Sequence, residues 1–145
     1  MPQNPAKVFT SVLVGWLLFT APAIAHTVEV SGNVGGTLHI EPNDTPRAGE
    51  PHLTWFALTR RGGRSIPLSA CNCELAVYAQ PYRPGDAPIA QPRLNAIAAE
   101  GYSGIPGADI TFPRAGGYEL VLQGRPVVAG DFAPFELRFS VTVAR

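Results

Sequence analysis

Between residues 135 and 143 the chain alternates without interruption. Phe135, Leu137, Phe139, Val141 and Val143 are apolar, and Glu136, Arg138, Ser140 and Thr142 between them are polar. Side chains two apart in a strand share a face, so this stretch predicts a strand with one buried and one solvated side. Shorter versions of the pattern recur upstream. Thr27-Val28-Glu29-Val30-Ser31 alternates, as does Thr37-Leu38-His39-Ile40-Glu41, the latter with Leu38 and Ile40 inward and His39 outward. Tyr118 to Gln123 sets Tyr118, Leu120 and Leu122 on one face. Leu53 to Thr59 has large residues on both faces and makes Trp55 the expected centre of the core. Glu74 to Ala79 and Asp109 to Phe112 read as further strands.

The segments between them carry turn chemistry. Gly32-Asn33, Gly35-Gly36, Arg60 to Ser65 and Pro113 to Gly117 are turn signals, and Pro42 to Pro51 is a loop. Ile66-Pro67-Leu68 reads as a short extended piece. Gln80 to Ala108 is the least regular section. Its prolines at 81, 84, 88, 92 and 106 exclude a continuous helix, and Leu94 to Ala99 reads as a short strand or a turn of helix. About seven strands with turns between them predict an all-β, antiparallel sandwich.

The N-terminus follows a different rule. Met1 to Lys7 is polar with one positive side chain, Val8 to Phe19 is apolar with a Thr-Ser break, and Ala23-Ile24-Ala25 is an A-x-A pattern. That is the layout of a secretory signal peptide, with an apolar run too short to span a bilayer. The expected division is a signal peptide over 1–25 and a β-sandwich domain over 26–145. Export would place the domain in the periplasm, outside the cell or in a thylakoid lumen, with no membrane span after cleavage.

Removing 25 of the 145 residues leaves 120, enough for one domain with a core of its own. The single Lys goes with the leader, and ten Arg then face eleven Asp and Glu. With no basic stripe, nucleic acid is not an expected partner. Cleavage after Ala25 would make His26 the first residue. Its amine and imidazole Nδ1 could chelate one ion, and a second imidazole, from His39 or His52, would complete three nitrogens suited to Cu(II). Those are the only other histidines. Cys71 and Cys73, two apart, would face the same way in a strand. They could bind a soft metal such as Cu(I), remain thiols, or close a small disulfide ring in an oxidising compartment. Ser65, Ser69 and Ser103 lie in no nucleophile elbow, and no phosphate-binding glycine motif precedes a helix.

Arg114-Ala115-Gly116-Gly117-Tyr118, followed by a strand, a loop and the final alternating strand, resembles the end of an immunoglobulin-like sandwich. That resemblance implies a tyrosine corner, with the Tyr118 hydroxyl bonded back to the preceding loop. The two Cys are not spaced as an inter-sheet disulfide. His26, Ala48-Gly49-Glu50-Pro51 leading into a strand, and the Gly-Tyr ending are similar to exported CopC-like and YtkA-like copper-associated domains. The segment Gly124 to Asp131 lacks the His that copper-resistance proteins carry between their last strands. The whole chain also resembles small exported proteins of cyanobacteria. The expected function is an exported binding module taking copper through His26. The alternative is a metal-free domain that binds an envelope or lumen protein. An enzyme, such as a polysaccharide oxygenase that also begins with His, is not expected at this size.

Overall fold

Alternation along the strands produces two antiparallel sheets packed face to face. The computed structural model describes residues 27–145, so the leader and His26 lie outside it. The strands are β1 (Val28–Ser31), β2 (Val34–Ile40), β3 (Pro51–Arg60), β4 (Arg64–Ser65), β5 (Cys71–Ala79), β6 (Asn95–Ala99), β7 (Tyr102–Thr111), β8 (Gly116–Pro126) and β9 (Phe135–Val143). The larger sheet runs β1-β2-β3-β7-β6, and β4 pairs with the part of β3 beyond the β7 ladder. The smaller sheet is β5-β8-β9. The predicted sandwich is therefore the observed fold. Among the described residues no helix is long and apolar enough to cross a membrane.

The core lies between the sheets. All five apolar positions of β9 are buried and its four polar positions are exposed, as the alternation requires. They meet Leu38, Ile40, Phe56 and Leu58 from β2 and β3, with Phe56 and Phe139 tilted at 5.6 Å between ring centres. Each such side chain is worth about 1.5–3 kcal/mol when removed from water. Gly36 lets β2 approach the other sheet: a Cβ there would lie 2.5 Å from Leu137 Cδ1. The tyrosine corner is present. The Tyr118 hydroxyl donates to the Arg114 carbonyl at 2.7 Å and accepts from the Arg114 amide at 3.2 Å.

The irregular section expected over 80–108 is only partly irregular. Its second half folds as β6 and β7, so the strand expected at Asp109–Phe112 is the end of a longer one. Proline is tolerated in β7 because Pro106 pairs with β6 alone; the β3 ladder stops at Gly107. The first half is a strap along the outer edge of β5. Val77 donates to Ala90, and Ile89 donates to Val77, which covers an otherwise open strand edge. The extended piece expected through Leu68 gives way to a 3-10 turn at Leu68–Ala70.

Candidate metal site and cysteine pair

Strand parity separates the two histidines. His39 is paired across the ladder with Trp55, so both lie on the outer face of the larger sheet, away from the core. The rings stack at 3.9 Å with an interplanar angle of 8°. Trp55 was the expected centre of the main core. It is fully buried, but under a second, smaller cluster with Ala57 and Ile105, flanked by Leu53, Ile97 and Ala99. Phe56 and Leu58 occupy the inward positions of β3, so Trp55 must point the other way. Tyr102 lies 6.0 Å from it, and its indole N–H donates to Glu41 Oε1 at 3.2 Å.

His52 shares the inward parity of Thr54 and Phe56 and is 3% exposed. Its Nδ1 donates to the Glu41 carbonyl at 2.8 Å, and its Nε2 accepts from the Arg47 amide at 2.9 Å. Both ring nitrogens thus close the loop between β2 and β3. The sheet itself stands between His52 and His39, so the two cannot converge on one ion. Among the described residues no three His, Cys, Asp or Glu side chains form a metal-ligating group. His26 falls outside the described residues.

Of the states open to the cysteines, the structure has the disulfide. Cys71 is bonded to Cys73, with their Cα atoms 5.2 Å apart. A cystine offers no thiolate to a soft metal. Gly124, opposite Cys73 on β8, makes room for it: a Cβ there would lie 2.8 Å from Cys71 Sγ and closer still to the Phe135 ring. Cys73 also lines a cavity of about 410 Å³ between the start of β5 and the end of the strap.

A polar network on the outer face of the smaller sheet escaped the sequence reading. Arg138 bonds Glu119 at 3.1 Å and Glu136 at 2.6 Å, and donates to the Tyr82 hydroxyl at 2.7 Å. Tyr82 in turn donates to Glu119 and stacks on Tyr78 at 4.3 Å. Gln123 donates to Glu136 at 2.6 Å. Hydrogen bonds from Gln123 and then Arg138 hold the Glu136 carboxyl below its ordinary pKa. The bond to Glu119 raises that of the Tyr82 phenol. Alternation already turned Glu119, Glu136 and Arg138 outward, but the register between β8 and β9 is what makes them neighbours. Tyr82 reaches them from the strap, which no local pattern signals.

No protein-family model matches the chain, and no curated protein or solved structure matches it.

Proposed function

We propose that the mature chain is an exported module that holds one Cu(II) ion between an N-terminal His26 and His39. The observation that carries this reading is the register of the first hairpin. Val28 pairs with Thr37 and Val30 with Gly35. His39 lies two positions beyond Thr37 on the same outer face of β2, just past the last pair that β2 makes with β1. The amine and ring of residue 26 would supply two nitrogens and His39 the third, a set suited to tetragonal Cu(II). Stacking on Trp55 orients the His39 ring. We take His39 as the partner because it lies on the outer face beside β1, whereas His52 is buried inside the sandwich and bonded to the backbone.

Electron paramagnetic resonance of the processed protein should show one Cu(II) with nitrogen coupling. Both His26→Ala and His39→Ala should weaken binding at least ~10-fold, as loss of one ligand removes more than 1.4 kcal/mol. Unchanged affinity in His39→Ala would sink the assignment.

The metal-free reading, an envelope or lumen protein partner, draws on β1, whose outer-face Val28 and Val30 are 61% and 71% exposed. Solvent-facing valines on a short edge strand suit pairing with another polypeptide. A photoreactive residue at position 30 should then give a discrete adduct with one envelope protein, insensitive to chelators. Labelling that a chelator abolishes would favour the copper reading.

A further inference from the structure

The setting of the cysteine pair exceeds what a structural disulfide needs. A ring closed across one intervening residue removes little entropy from the unfolded chain. The strand that carries it is already held along its whole length by the β5–β8 ladder. What distinguishes the pair is unequal access. Cys71 is 5% exposed and belongs to the core. Cys73 is only half-buried and opens on the 410 Å³ cavity, where Leu68, Pro92 and Leu94 provide apolar walls and Glu74 and Arg93 bring charge.

We propose that Cys71–Cys73 is a dithiol–disulfide exchange site for polypeptides that carry paired cysteines. The inference shares no residue with the copper reading and does not depend on it. A substrate thiolate enters the cavity and attacks Sγ of Cys73, the less buried residue of the pair. The Cys71–Cys73 bond breaks, Cys71 leaves as a thiolate and takes up a proton, and a mixed disulfide joins substrate to Cys73. The second substrate thiolate attacks its own partner sulfur in that mixed disulfide and releases Cys73. Two substrate thiols have then lost two electrons and two protons and become a disulfide, while Cys71 and Cys73 have gained both. A small disulfide such as oxidised glutathione restores the cystine by the same steps in reverse. The apolar walls suit the side chains flanking a cysteine in a peptide.

The test uses the processed, oxidised protein without denaturant, quenched in acid, labelled with a maleimide and weighed. Millimolar reduced glutathione should reduce both cysteines, and a two-cysteine peptide should be converted to its disulfide in equimolar amount. In Cys71→Ser, Cys73 should be glutathionylated by oxidised glutathione at least ~10-fold faster than Cys71 in Cys73→Ser, reflecting their unequal access. A pair that stays oxidised in the native protein, and is reduced only after unfolding, would assign the disulfide to the fold and overturn the proposal. Reduction by glutathione with no turnover of the peptide would overturn the substrate class, and equal rates in the two single-cysteine variants would overturn attack through the cavity. The measurements on the unsubstituted protein stand even if a variant does not fold.

Discussion

Gly124 shows how one absent side chain serves both the core and the cysteine pair. It has ordinary strand geometry, so its role is spatial rather than conformational. A methyl group at this position would press on Cys71 Sγ and on the Phe135 ring, both held in the core. Gly124→Ala should therefore lower stability by about 1–3 kcal/mol, the usual cost of overfilling a packed interior. Urea unfolding measures it, and an unchanged midpoint would show that β9 shifts to accept the methyl. At the same scale, the fates of His39, His52 and Trp55 on β2 and β3 depend on parity. His39 and Trp55 stack outside, while His52 ties down a loop inside. The outward position of His39 was readable from alternation on β2 alone. The inward position of His52 was not, because β3 is apolar on both faces and gives no contrast by which to orient it.

At the scale of elements, two features can be tested separately. The tyrosine corner joins the turn before β8 to β8 itself. Tyr118→Phe keeps the ring beside Phe112, 4.9 Å away, and removes both bonds to Arg114. Because Arg114 is exposed and water can replace the lost partner, thermal unfolding should show a loss of only about 0.5–1.5 kcal/mol. The second feature is the ladder of charges across β8 and β9. Glu136 has a depressed pKa in the folded state, so its contribution to stability is present above the ordinary carboxylate value of 4.5 and is lost as pH falls through the lowered one. Glu136→Gln should be less stable than the unsubstituted protein at neutral pH, with the difference closing in acid. Denaturant midpoints compared at pH 7 and pH 3 report this. A gap that persists at low pH would assign the effect to side-chain packing. Exposure of both partners keeps the effect small.

For the whole molecule, the copper reading makes a prediction independent of spectroscopy. A ligand bound only by the folded state stabilises it by mass action, about 2.7 kcal/mol at a hundredfold excess over Kd. Copper should thus raise the unfolding temperature of the processed chain. It should not raise that of a chain whose residue 26 amine is acetylated, since acetylation removes one of the three nitrogens. A copper-induced shift of equal size in the acetylated protein would place the ion elsewhere.

The alternation in β9, β8 and the first hairpin was enough to predict an all-β sandwich, because a period of two is a local property that burial on one face imposes directly. The Tyr118 corner was legible through the resemblance of its motif to immunoglobulin-like sandwiches, and the motif is local because its bonding partner lies four residues away. What only the tertiary structure decided was non-local. Sheet partners convert the second half of a proline-rich stretch into β6 and β7, since proline is tolerated where one neighbouring ladder ends. The inward claims of Phe56 and Leu58 send Trp55 to a second cluster on the outer face. The fold also brings the strap to Cys73 and Tyr82 to Arg138, contacts between segments whose spacing along the chain carries no trace of their meeting.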